Sequence, residues 1–251
     1  MDMHIQYMER VLDLAKLGRG DVSPNPMVGC VLVKNNKIIG EGYHKSYGAA
    51  HAEVDALNNC IEDPSGSDLY VNLEPCNIFS KTPPCVNKII ENGIKNVYVG
   101  CIDKNPEVNG LGIQELKRSN INVFTNINSK KCNELNIGFF NWIKTGYPWV
   151  IVKIAQSNNG FMGIDSNTTT LITGHDTNSF SHKLRSEVDG ILVGTKTVEV
   201  DNPSLTVRNI AGSNPSRIII DTNRGVFLCG TPFIVNSSIV FVNSRYHMAK
   251  H

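Results

Sequence analysis

The sequence predicts an α/β protein, with a three-layer α/β/α domain followed by a second, shorter α/β series. Three observations carry this expectation. Two apolar, β-branched runs joined by a pair of asparagines have the pattern of a hairpin, helical and strand-like periods then alternate as far as Gly146, and a fresh series of apolar strands follows. A mixed sheet covered by helices on both faces is the arrangement that buries such a series.

Met8, Val11, Leu12 and Ala15 recur at helical spacing and stop at Gly18, which predicts an amphipathic helix closed by a glycine cap. Asn25 and Pro26 then break the chain before two strands, 27–33 and 37–41, that turn back through Asn35 and Asn36. Past Gly48 the period becomes helical, with Val54, Leu57 and Ile61 on one face. Residues 69–73 read as a buried strand, 86–92 as a helix entered through Pro83 and Pro84, and 96–101 as another strand; Leu116 and Val123 continue the alternation. The first domain is expected to span residues 1–146. The second, 147–251, should carry strands at 148–155, 171–173, 190–194, 217–221 and 239–242. It stops at His251 straight after a strand, so only the N-terminal portion of that domain is expected.

With 251 residues, 41% of them hydrophobic, the chain can bury a substantial core. Lys and Arg total 24 against 23 for Asp and Glu, so no overall field exists to draw in nucleic acid or a membrane surface. The N-terminus lacks the pattern of a signal peptide and no apolar run reaches membrane-spanning length, from which a cytoplasmic protein is expected. Seven cysteines, an odd number scattered among regular elements, argue against a disulfide framework and turn attention to metal binding.

His51, Ala52 and Glu53 stand at a predicted helix start, Cys76 follows Pro75 at a strand end, and Cys85 follows Pro84 at another helix start. Imidazole and thiolate suit zinc, and three protein donors leave a fourth tetrahedral position for water, as catalytic zinc sites do. A helix start also favours the thiolate form, which is expected to fall on Cys85. Glu53, two residues from His51, is then placed to carry protons without binding the metal. Taken singly, each piece has a plain structural reading: a capped surface turn, or two buried thiols. Together, His-x-Glu, Pro-Cys and a further Cys form the pattern of zinc deaminases, although eight residues separate Cys76 from Cys85 where two are common.

Five motifs in order, Asn25-Pro26-Met27-Val28-Gly29, Gly42-Tyr43-His44, His51-Ala52-Glu53, Leu73-Glu74-Pro75-Cys76 and Thr82-Pro83-Pro84-Cys85, resemble the deaminase half of the bifunctional riboflavin-biosynthesis deaminase/reductases. The resemblance continues through Lys153-Ile154-Ala155, Ile172-Thr173-Gly174, Leu184-Arg185, the run 191–194 and the run 201–208. It implies a cytidine-deaminase-like α/β/α domain that removes an amine from a phosphoribosyl pyrimidine with Zn2+, followed by part of a dihydrofolate-reductase-like domain that uses NADPH. By position it places Asn25, His44, Lys81 and Thr82 at the deaminase substrate. It places Thr169, Arg185, Leu205 and Arg208 at the reductase substrate, and Ala155, Leu171, Thr197 and Asp201 at the nicotinamide cofactor. The sequence departs from the family at 77–80, at Ser157-Asn158-Asn159-Gly160 and at Leu171, and it ends before the family's Gly-rich phosphate loop.

Two rivals share parts of this pattern. A transfer-RNA or nucleobase deaminase would have the same zinc chemistry but a basic, aromatic-lined strand path, which the balanced charge disfavours. A non-catalytic zinc-stabilised module would need a fourth protein ligand. The expected partner is a small molecule, with either a second copy of the chain or a complementing reductase polypeptide as the macromolecular one.

Overall fold

The computed structural model describes residues 3–79, 83–164, 169–208, 210–221 and 239–242, the last four by backbone alone. The chain divides into two units, 1–150 and 151–251.

The first unit is built on a five-stranded sheet. β1 (Gly29–Lys34) and β2 (Lys37–Tyr43) form the hairpin, and β3 (Asp68–Leu73) pairs antiparallel with the other edge of β1. β4 (Asn96–Cys101) and β5 (Asn122–Phe124) then add in parallel, giving the order β2-β1-β3-β4-β5. The hairpin turns where expected: Asn35 and Asn36 have φ of 51° and 60°, the paired positive values that a tight two-residue turn demands.

Strand alternation sends side chains to two separate cores. Cys30, Leu32, Leu69, Val71, Val97 and Val99 pack with α2 (Ala52–Asn58), α3 (Cys85–Glu91) and α4 (Leu111–Arg118). Val31, Val33, Tyr70 and Tyr98 pack on the opposite face with α1 (Met3–Lys16), α5 (Ser129–Leu135) and α6 (Ile137–Thr145). This is the expected three-layer arrangement.

Two local expectations in this unit are corrected. Gly18 does not cap α1 in a left-handed conformation; the positive φ falls on Gly20, at 87°. Gly18 is instead a point of close approach, since a Cβ there would lie 2.4 Å from the His44 carbonyl oxygen. In α2 the buried face is Ala52, Glu53 and Ala56, and Ile61 lies beyond the helix and 83% exposed. Small residues face inward because α2 sits against β2 with almost no gap: a Cβ on Gly42 would lie 2.2 Å from the Ala56 backbone nitrogen.

The second unit holds a parallel three-stranded sheet, β6 (Gly190–Gly194), β7 (Ser216–Ile220) and β8 (Ile239–Val242), in that order. Two helices accompany it, α7 (His175–Ser186) and α8 (Thr195–Asp201), and Val198, Leu205 and Ile219 form its small core. The strands expected at 148–155 and 171–173 do not form. Their apolar, β-branched composition reads as strand, but a strand also needs a neighbouring ladder, and these segments pair with none among the described residues. Val152 and Leu171 are accordingly 76% and 93% exposed. Among the described residues no helix is long and apolar enough to cross a membrane.

Candidate metal centre

Two loops, after the C-terminal ends of β2 and β3, bring the site together. His51 immediately precedes α2, Cys76 follows β3 through Glu74 and Pro75, and Cys85 opens α3 after Pro84. Donor atoms of His51, Cys76 and Cys85 all lie within 4.8 Å of one another. Nδ1 is the imidazole nitrogen turned inward, 3.1 Å from Cys85 Sγ and 3.5 Å from Cys76 Sγ.

The electrostatics differ from the expectation that Cys85 carries the thiolate. The Cys85 thiol donates to Cys76 Sγ and so is pushed well up, while Cys76, accepting from Cys85 and His51, is pushed down to about 4. The backbone N–H of Cys85 also donates to Cys76 Sγ, at 3.4 Å. The first amide of α3 thus stabilises a negative sulfur on the neighbouring loop rather than on its own residue.

Glu53 projects from the first turn of α2 into the same site and is only 3% exposed. Burial, reinforced by the Cys76 thiolate, pushes its carboxyl up to about 7, against the pull of His51 and a hydrogen bond from Cys85. His44 stacks edge-on against His51, ring centres 5.6 Å apart. Its Nδ1 faces the Ala50 carbonyl at 3.0 Å and its Nε2 faces the Asn25 amide at 3.0 Å. A carbonyl only accepts, so Nδ1 carries the hydrogen and Nε2 accepts from Asn25. Burial lowers the His44 pKa, consistent with this neutral form.

Glu74 anchors the loop that carries Cys76. Its carboxylate, 4% exposed, accepts the backbone N–H groups of Asp103, Gly110 and Ile113 at 3.3, 2.8 and 3.2 Å. Asp103, also buried, has a carboxyl raised by burial and by the charges of Glu74 and Cys76. The sequence reading assigned no role to Glu74 or Asp103; Glu74 stands inside a quoted motif, and only the fold shows that it ties β3 to the loop after β4. Lys81 and Thr82, expected at the substrate, lie outside the described residues.

In the second unit six of the eight expected residues fall into two groups, and Thr169, expected with the arginines at the substrate, pairs with Asp201, expected at the cofactor. Thr169 donates to Asp201 at 2.6 Å, and Thr197 stands one turn before Asp201 on α8. Arg185 donates to the Thr206 carbonyl at 3.2 Å and Arg208 to Ser204 Oγ at 2.7 Å. Leu205 is buried, with φ of 51°. Burial, and after it the charge of Arg208, lowers the Arg185 pKa. Ala155 and Leu171 stand on irregular chain and join neither group.

Residues 1–101 match the family model described as the cytidine and deoxycytidylate deaminase zinc-binding region, and residues 148–248 match that of the RibD C-terminal domain. The riboflavin biosynthesis protein RibD of Actinobacillus pleuropneumoniae is 41% identical over 87% of this chain and 58% of its own length. The diaminohydroxyphosphoribosylamino-pyrimidine deaminase of Buchnera aphidicola from Schizaphis graminum is 51% identical over 57% of this chain and 97% of its own. The solved deaminase/reductase of Thermotoga maritima superposes with a TM-score of 0.91 at 35% identity, over 98% of this chain and 71% of that one. The chain spans about 60% of the length of the first RibD proteins it matches, at 58%, 61% and 60%. On these likenesses and on the site just described, the chain belongs to the RibD family of riboflavin-biosynthesis deaminase/reductases.

Proposed function

We propose that the first unit hydrolyses the amine of 2,5-diamino-6-(5-phosphoribosylamino)pyrimidin-4(3H)-one in riboflavin biosynthesis, releasing ammonia and 5-amino-6-(5-phosphoribosylamino)uracil. One observation carries the reading: an imidazole and two sulfurs lie within 4.8 Å of one another beside a buried carboxyl. The donors suit zinc, since they are borderline or soft, one sulfur already favours the thiolate, and three of them leave a fourth position free. Bound there, zinc supplies the Lewis acidity that makes water nucleophilic at neutral pH.

The remaining work belongs to the chain. Glu53 takes a proton from the attacking water and delivers it to the ring nitrogen, then takes the second from the newly formed hydroxyl and delivers it to the departing amine. Burial keeps its carboxyl out of competition with bulk water, and a divalent cation nearby draws its pKa downward from the metal-free position. Asn25, one of its amide hydrogens held by His44, keeps its carbonyl oxygen as an acceptor for a donor on the pyrimidine, the role its place in the motif assigns. Lys81 and Thr82 are assigned to the substrate phosphate by their place in the motif.

For the second unit we propose kinship with the NADPH-dependent reductase of the next step. Arg185 and Arg208, with Thr169 and Leu205, are assigned to the phosphorylated substrate, and Ala155, Leu171, Thr197 and Asp201 to the cofactor, by their places in the motifs. The balanced charge supports a small-molecule substrate rather than nucleic acid or a membrane surface, and we assign the chain to the cytoplasm.

The test compares ammonia release from the phosphoribosyl pyrimidine with release from adenosine in an RNA stem-loop, for wild type and Glu53→Gln. Expected are turnover of the pyrimidine alone and a fall of about 10²-fold or more in the variant with zinc retained. Turnover of the RNA alone, or near-normal turnover by the variant, overturns the reading.

A further inference from the structure

Between the hairpin and the helix that precedes it, residues 25–29 run past the site without belonging to a helix or, until Gly29, to a strand. Such a segment has no ladder to satisfy its backbone groups, and buried unpaired groups are disfavoured. Here two buried asparagines do the pairing. Asn136, at the junction of α5 and α6, accepts from the Met27 N–H at 2.8 Å through Oδ1 and donates to the Met27 carbonyl at 2.9 Å through Nδ2. Asn72, in β3, donates to the same carbonyl at 3.0 Å and accepts from the Gly29 N–H at 2.8 Å. Asn72 is fully buried and Asn136 is 2% exposed.

Three of these four bonds hold both backbone groups of Met27, two residues from Asn25, and the fourth holds the Gly29 N–H. The rest of the segment is tied down as well: the Asn25 N–H donates to the Val22 carbonyl at 2.9 Å, and the His44 N–H to the Val28 carbonyl at 2.9 Å. The segment therefore enters the site with its direction set, and Asn25 meets His44 Nε2 at 3.0 Å. Neither asparagine touches His51, Cys76, Cys85 or Glu53 through any hydrogen bond described for it.

We propose that Asn136 and Asn72 are positioning residues of the deaminase site, fixing the Asn25 amide through the Met27 backbone while leaving the metal donors untouched. The inference rests on the proposed deamination for its kinetic consequence, though not for its structural one. Asn136 supplies both a donor and an acceptor to one residue, which serine reproduces poorly and aspartate only in part, because a carboxylate meets the Met27 carbonyl with a lone pair instead of an N–H.

The test is a double-mutant cycle on the full chain, with Asn136→Ser and Asn136→Asp each made alone and with Asn25→Ala. It reads zinc content, kcat and KM for ammonia release, and the side-chain amide resonance of Asn25 by 15N NMR. Expected are full zinc content, a fall in kcat/KM of about tenfold or more in each Asn136 variant, and no further fall when either is added to Asn25→Ala. The Asn25 resonance should move in both variants. An Asn136 effect that persists undiminished in the Asn25→Ala background, or an unmoved Asn25 resonance, overturns the proposal. If the wild-type chain binds zinc yet releases no ammonia, the functional reading fails by itself, and the resonance still decides whether Asn136 orders Asn25.

Discussion

Replacing Gly42 with alanine should damage the metal centre without altering any residue in it. A Cβ there would lie 2.2 Å from the Ala56 nitrogen, 2.7 Å from the Ala52 oxygen and 2.7 Å from the Asp55 carbonyl carbon. All three are backbone atoms, so no side chain can turn aside, and reaching ordinary contact near 3.4 Å requires α2 to retreat from β2 by about 1 Å. Overpacking of this kind costs about 1–3 kcal/mol. The retreat also moves His51, which precedes α2, and Glu53, in its first turn. A misplacement of about 1 Å costs on the order of 10²-fold in rate. Urea unfolding, zinc content and ammonia release of Gly42→Ala against wild type measure each part. Gly138→Ala is the control, because its nearest contact would be Trp149 Cβ at 3.7 Å and alanine near a helix start should be neutral or stabilise by up to about 1 kcal/mol. A Gly42→Ala protein as stable as wild type, with kcat/KM within twofold, would refute the claim that close packing of α2 on β2 sets the site.

Two further outcomes concern the metal-free protein. The Glu53 carboxyl, pushed up to about 7 from 4.5, binds its proton more tightly in the folded chain than in the unfolded one. That contribution is complete below pH 4.5 and is lost as pH rises through 7, an interval equivalent to ~3 kcal/mol. In urea unfolding of chelated protein, Glu53→Gln should therefore gain about 3 kcal/mol on wild type between pH 4.5 and pH 8, and a gain below about 1 kcal/mol would contradict the assigned burial. The second outcome follows from Cys76, whose thiol is pushed down to about 4 while burial pushes Cys101 and Cys132 up to about 12. After chelation, iodoacetamide at pH 6 should label Cys76 before the other described cysteines, and added zinc should block it. Peptide mass spectrometry reads the order, and first labelling at Cys60 or Cys101 would count against the thiolate assignment.

Much of this protein was legible in local pattern. The asparagine turn, the strand runs and the alternation through β5 depend on residues close in sequence, and those elements formed where expected. So did the convergence of His51, Cys76 and Cys85, because each is announced by a neighbour that ends a strand or starts a helix. The run at 148–155 shows where local pattern fails: β-branched residues state a preference for extended chain, but only a paired neighbour makes a strand. Likewise the apolar spacing in α2 pointed to Val54, Leu57 and Ile61, of which Leu57 packs against the core, whereas the tight seat on β2 buries the small face.

By itself, then, the sequence determined the α/β class, the donor set and the carboxyl beside it, since these rest on short-range spacing and on the chemistry of single residues. The tertiary structure alone decided how closely His51 Nδ1 approaches the two sulfurs, how close α2 lies to β2, and that Asn136 serves Met27 across 109 positions of chain. Each of those depends on a distance between segments remote in sequence. Hydrogen bonding, burial and thiolate stability all change steeply over a few ångströms, and such distances are set only when the chain is packed.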